Sequence, residues 1–219
     1  MIEIKNVCKE YDGNTILNNI NVNFNEGHIY GLIGRNGSGK TVLLNMICGF
    51  IYPSDGEILI DKKNIHKNKI FAPNTRALIE KPKFLSNMSG YKNLELLANI
   101  NKLITEDDIN NTLRDVDLFD EKDKLYNKYS LGMKQKLGIA QVLMENPKIM
   151  IFDEPFNGLD EQSSKKLRNL LKNIKNDKII IIATHIKDDI EDLCDVVYKI
   201  DNGMLSKYGL WIKWNAKTF

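Results

Sequence analysis

With 219 residues, 42% of them hydrophobic and 27% charged, the chain is long enough to bury one core with a subdomain, and too apolar to be disordered throughout. The 31 Lys and Arg nearly balance 29 Asp and Glu, for a net charge of +2, so no polybasic footprint argues for nucleic acid and no acidic tail is visible. The longest apolar runs, such as Ile179 to Ala183, fall far short of the ~18 residues of a membrane span, and Met1 to Lys5 lacks the charged and apolar regions of a signal peptide.

Ile2 to Val7 alternates apolar and polar residues as a half-buried strand does, and Thr15 to Phe24 repeats the pattern through Ile16, Ile20, Val22 and Phe24. Gly27 to Ile33 reads as a more buried strand entering a glycine-rich turn. Thr41 to Phe50 then places Val42, Leu43, Met46, Ile47 and Phe50 at helical spacing. Gly56 to Asp61 and Arg76 to Glu80 are short predicted strands, and from Pro82 to Asn146 the texture changes to helical patterns broken by polar turns. Ile149 to Phe152 is a predicted buried strand, Gln162 to Ile174 an amphipathic helix and Lys178 to Thr184 a second buried strand. Lys187 to Leu193 is a predicted short helix and Val196 to Ile200 a further strand. Buried strands alternating with helices predict a parallel α/β sheet, with the helix-rich middle as an insertion.

Gly34-Arg35-Asn36-Gly37-Ser38-Gly39-Lys40-Thr41 fits GxxxxGK[ST] in full, between a predicted strand and a predicted helix. Glycines let such a loop wrap round phosphates, so that backbone N–H groups and the helix N-terminus meet the negative charge. Lys40 would reach the β- and γ-phosphates, and the Thr41 hydroxyl would ligate Mg²⁺. The metal also needs a carboxylate at the end of a neighbouring buried strand, and Asp153 follows Ile149-Met150-Ile151-Phe152. The next residue, Glu154, can orient or deprotonate an attacking water.

The remaining segments carry a resemblance. Tyr129-Ser130-Leu131-Gly132-Met133-Lys134-Gln135-Lys136 resembles the LSGGQ-type signature of ATP-binding-cassette (ABC) ATPases. Phe156-Asn157-Gly158-Leu159-Asp160 resembles their D-loop, and Ala183-Thr184-His185 their switch histidine. Tyr11 falls where the family places an aromatic for adenine, although an aromatic near a strand also serves as packing. The match covers essentially the whole chain, so residues 1–219 are expected to form one ABC domain. The implied fold is a P-loop core with an antiparallel β-subdomain from the N-terminal strands and a helical subdomain inserted over about 82–146.

The resemblance implies an ATPase that binds ATP and Mg²⁺ and powers transport through a separate membrane permease. It implies cofactor contacts from Tyr11, Gly34 to Thr41, Glu80, Ser130, Gly132 and Asp160, metal contacts from Thr41, Asp153 and Glu80, and catalytic roles for Lys40, Glu154 and His185. Ser130 and Gly132 would touch ATP held by a second copy of the chain, in a head-to-tail dimer; Ser130 can also be an ordinary helix cap. Leu131 and Met133 depart from the family's glycine and glutamine. Glu80 stands where the family has glutamine, and with the altered signature it resembles the bacitracin-resistance and lantibiotic-immunity efflux ATPases. Cys8, Cys48 and Cys194, odd in number and far apart, read as packing residues in a reducing compartment. The expected location is the cytoplasm, peripheral at the membrane through the permease. A soluble, non-transport ABC ATPase is the alternative. A P-loop kinase would leave the signature, D-loop and switch segments unexplained.

Overall fold

The computed structural model describes residues 1–186 and 190–208. Two sheets organise them. The first is antiparallel: β1 (Ile2–Tyr11), β2 (Asn14–Phe24), β4 (Asp55–Ile60) and β5 (Lys63–Asn64), in the order β2-β1-β4-β5. Asp12 and Gly13, with φ of 48° and 77°, make the two-residue turn between β1 and β2. The second sheet joins β3 (His28–Ile33), β6 (Thr75–Leu78), β7 (Ile149–Asp153), β8 (Ile179–Thr184), β9 (Val196–Asp201) and β10 (Met204–Tyr208), in the order β10-β9-β3-β8-β7-β6. Its pairs are parallel except β9 with β10.

Every residue of β7 and β8 is buried, as expected of strands covered on both faces. Alternation divides them. Met150, Phe152, Ile180 and Ile182 pack on one face with Leu137 and Ile139 of α4 (Leu131–Leu143) and Leu167 and Leu171 of α5 (Glu161–Ile174). Ile149, Ile151, Ile179 and Ile181 pack on the other with Leu43, Leu44 and Ile47 of α1 (Lys40–Cys48) and with Ile2, Ile4 and Phe24 of the antiparallel sheet. Between β6 and β7 lie α2 (Gly90–Asn101), α3 (Glu106–Asp115) and α4. Side chains at their N-caps fix where they begin: Ser89 accepts from the Lys92 N–H, Thr105 and Asp108 form a reciprocal capping box, and Ser130 accepts from the Met133 N–H.

Some boundaries differ from the sequence reading. β6 ends at Leu78 and leaves Glu80 outside the strand at φ 61°, in the left-handed region, which does not continue the extended backbone of the strand. β5 has no counterpart in the sequence pattern, because two polar residues carry no alternation. β10 lies beyond the predicted elements as well, although Asn202-Gly203 is a strong hairpin signal, and both residues adopt positive φ, 48° and 74°. Of the helix expected over Lys187 to Leu193, residues 187–189 lie outside the described residues, and Ile190 begins a turn in which its carbonyl accepts from the Leu193 and Cys194 N–H groups. All three cysteines are free thiols; Cys48 and Cys194 are buried, and desolvation pushes the Cys48 thiol up to about 12. No helix among the described residues is long and apolar enough to cross a membrane.

Candidate active site

The loop from Gly34 to Gly39 leaves the carboxyl end of β3 and opens α1. At Gly34 the backbone passes so close to Ser38 and Ile200 that a Cβ would lie 2.5 Å from the Ser38 Oγ and 2.6 Å from the Ile200 carbonyl oxygen. Gly39 caps α1 at φ 102°, with Leu17 against it, so a side chain would be strained there twice over. No side chain caps α1 and no acidic residue stands in its first turn, which leaves its N-terminal N–H groups and positive dipole end directed at the loop. Lys40 is buried, with its Nζ donating to the carbonyl oxygens of Gly34 (2.7 Å) and Arg35 (3.2 Å). The Ser38 Oγ is buried without a hydrogen-bond partner among the described residues, a group suited to a phosphate oxygen.

A cleft of about 320 Å³ lies over this loop, lined by Tyr11, Ile16, Asn36, Gly37, Gly39, Lys40, Thr41, Val42, Asp153 and Glu154. The fold thus brings Tyr11 to the phosphate loop from 25 residues upstream of Asn36 (36 − 11). Its ring is half-exposed, with the Lys9 Nζ 4.6 Å from the centroid. At the cleft floor the Thr41 hydroxyl donates to Asp153 Oδ2 at 2.7 Å. Burial pushes the Asp153 carboxyl up; the Thr41 bond opposes that, the Glu154 charge adds to it, Lys40 opposes it and Glu80 adds again. This paired hydroxyl and carboxylate offer hard oxygen donors at the phosphate end of the cleft, and so fit Mg²⁺ shared with a polyphosphate.

Glu154 is held on every side. Its backbone is left-handed at φ 51°, and its N–H donates to the Ala183 carbonyl at 2.8 Å. Oε1 accepts from the His185 N–H at 3.0 Å and meets the His185 Nδ1 at 2.8 Å, while Oε2 accepts from the Thr184 hydroxyl at 3.0 Å. With Glu154 ionised, the His185 Nδ1 carries the ring proton. Nothing in the sequence around Thr184 marks this role, although it immediately precedes His185.

Asp153 and Glu154 also line a second cleft of about 670 Å³, with Glu80, Lys81, Lys83, Leu131, Gln135 and Asn157. Glu80, two residues beyond the end of β6, therefore lines one cleft with the same two carboxylates. Arg35, Ser130, Gly132 and Asp160 are not among the residues lining the phosphate-loop cleft of their own chain. Ser130 is exposed at the N-cap of α4 and Leu131 is 64% exposed. Gly132 lies so close to Gly158 that a Cβ would meet that carbonyl at 2.7 Å. Asp160 caps α5, accepting from the Ser163 N–H (2.8 Å) and hydroxyl (2.9 Å), bonds that hold its carboxyl below the usual carboxylate range.

The phosphate loop, the strand-end carboxylates and a parallel sheet whose β3, β7 and β8 deliver them to one edge define a P-loop nucleoside triphosphatase. Residues 17–157 match the family described as ABC transporter. The chain is 38% identical over 211 residues to a bacitracin transport ATP-binding protein of Enterococcus faecalis, covering 94% of this chain and 68% of that one. It is 34% identical over 206 residues to a lantibiotic transport ATP-binding protein of Streptococcus pyogenes, covering 94% and 89%. The solved ATP-binding subunit of an ABC transporter superposes with a TM-score of 0.86 at 26% identity, over 96% of this chain and 90% of that one. The chain belongs to the ABC transporter family, as an ATP-binding subunit that hydrolyses ATP.

Proposed function

We propose that this subunit powers the export of a peptide antibiotic of the bacitracin or lantibiotic class through a separate permease, working at the cytoplasmic face of the membrane. The likeness to the two antibiotic transport subunits supports the cargo class, and Glu80 and the altered signature at Leu131 and Met133 agree with that subgroup. Residues 1–219 act as one unit, with the segment over about 82–146 as its helical part.

The observation that carries the ATPase reading is the Glu154 carboxylate, fixed by Thr184 and His185 at the mouth of a cleft floored by Lys40 and Thr41. In this reading Gly34 to Thr41 cradle the ATP phosphates and Tyr11 stacks under adenine, a contact worth ~1–3 kcal/mol by analogy with base–aromatic stacking. Glu154 accepts a proton from the attacking water as its oxygen bonds to the γ-phosphorus and the bond to the β-phosphate oxygen breaks. His185 keeps the carboxylate aimed at that water. Thr41 and Asp153 would hold Mg²⁺, with Glu80 beside them; bound there, the ion would neutralise charge on the phosphates. A second copy of the chain adds Ser130 and Gly132 across the ATP, with Asp160 at the same junction, so the working ATPase is a head-to-tail dimer.

Deleting the gene should sensitise its host to bacitracin or to a lantibiotic, and the wild-type chain should restore resistance while a Glu154→Gln chain should not. Purification from membranes should bring a polytopic protein with it. Unchanged sensitivity to both antibiotic classes would refute the cargo, and a chain that never co-purifies with a membrane protein would refute the coupling.

A further inference from the structure

We infer that Gln135 is a positioning residue for ATP cleavage: its side-chain amide fixes the peptide of Glu154 and ties it to the helix that Ser130 begins. The inference rests on the reading of Glu154 as the group that handles the attacking water.

Gln135 is the fifth residue of α4 and is 6% exposed. Its Nε2 donates to two successive carbonyl oxygens, Glu154 at 3.2 Å and Pro155 at 3.0 Å. Both N–H bonds of one amide thus go to the two carbonyls that follow β7. Of the amino-acid side chains, neutral Gln and Asn combine two donors on one nitrogen with no charge to bury; an ammonium would add a charge to be desolvated, and a hydroxyl has a single donor.

The place matters as much as the bonds. Glu154 sits at φ 51°, a backbone state that costs free energy for a residue with a side chain and persists only where its surroundings over-determine it. Its N–H is held by Ala183 of β8 and its carboxylate by Thr184 and His185, all from one side of the strand end. Gln135 supplies the opposing hold on the carbonyl, from a different element. The Asn157 N–H also donates to the Glu154 carbonyl, at 3.3 Å, but from within the same turn; without Gln135 no other element holds the peptide between Glu154 and Pro155 among the described bonds, and the carboxylate can turn with it. Because α4 is continuous from Leu131 to Leu143, a push on its Ser130 end reaches the Glu154 carbonyl through this amide. Nucleotide binding at Lys40 and Thr41 does not pass through it.

Two variants test this. Gln135→Met keeps length and apolar packing and removes both donors; turnover should fall about 10–100-fold with the ATP KM within about threefold, the size expected for a group that orients another. Gln135→Glu, when ionised, offers no donor to the two carbonyls, and when protonated offers one O–H. Its turnover relative to wild type should therefore rise several-fold between about pH 8 and about pH 6, since burial beside carbonyl oxygens raises its pKa. Binding of a fluorescent ATP analogue and melting temperature are measured for both. Wild-type turnover in Q135M, or equal losses of turnover and nucleotide affinity in it, overturns the inference. So does a Q135E profile parallel to wild type, which decides the matter even if Q135M does not fold. Undiminished turnover in Glu154→Gln would instead overturn the reading on which the inference stands.

Discussion

Replacing Glu154 by Gln removes a charge from the centre of the site while leaving its frame in place. Two of the three bonds to the carboxylate, from the His185 N–H at 3.0 Å and the His185 Nδ1 at 2.8 Å, go to Oε1, and the amide oxygen of Gln can accept both. The third, from the Thr184 hydroxyl at 3.0 Å, goes to Oε2, where the Gln NH₂ can donate to the hydroxyl in its turn. The backbone bonds to Ala183 and from Gln135 are untouched. Charge-assisted bonds become neutral ones, which weakens each by roughly half, while like-charge repulsion with Asp153 disappears. These effects oppose each other, so folding stability should change little. Turnover should change greatly, because an amide does not take up a proton from water. Losing a general base costs about 10²–10⁴ in rate, or ~2.7–5.4 kcal/mol of barrier at 1.36 kcal/mol per decade. Phosphate release by the purified protein with MgATP gives the rate, a fluorescent ATP analogue gives the affinity, and size-exclusion chromatography with MgATP detects the dimer that uncleaved nucleotide should hold together. Hydrolysis at the wild-type rate would refute the assignment of Glu154. A slow variant that stays monomeric with MgATP would refute the contact through Ser130 and Gly132.

Lys40→Ala should abolish ATP hydrolysis and greatly weaken nucleotide binding, since Lys40 is the cation that the loop carbonyls of Gly34 and Arg35 hold over the phosphate cradle; undiminished MgATP turnover in the mutant would refute the site. Glu80→Gln should leave basal hydrolysis within a few-fold and alter how far the permease stimulates it, and Glu80→Ala should uncouple the two more severely by removing the oxygen as well. ATPase activity of the reconstituted complex and export in cells read both effects; changes no larger than an ordinary surface site's ~0.5 kcal/mol would make Glu80 a loop residue only.

Residues that act through their own backbone or through a short stretch of chain were legible in the sequence. Gly34 to Thr41 needs glycines for a loop that closes on Ser38 and for a positive φ at Gly39, and those needs are local, so the pattern announces itself. The runs at Ile149 to Phe152 and Ile179 to Ala183 are apolar without alternation because both faces of a central parallel strand are covered, and that too is a property of each strand alone. Ser130 at a helix start is local in the same way, since its hydroxyl caps the helix that follows it. What depended on tertiary structure was every relation between segments. That Tyr11 reaches the phosphate loop follows from how the antiparallel sheet packs against the faces of β3 and α1. That Glu80 turns away from β6 to face Asp153 and Glu154 follows from a left-handed residue that no propensity favours in glutamate. Thr184 and Gln135 became visible only when β8 and α4 were laid beside the end of β7, because a hydrogen bond between residues 30 or 19 positions apart leaves no period in the sequence. The chemistry was written in short motifs; its aim was set by the packing of the elements that carry them.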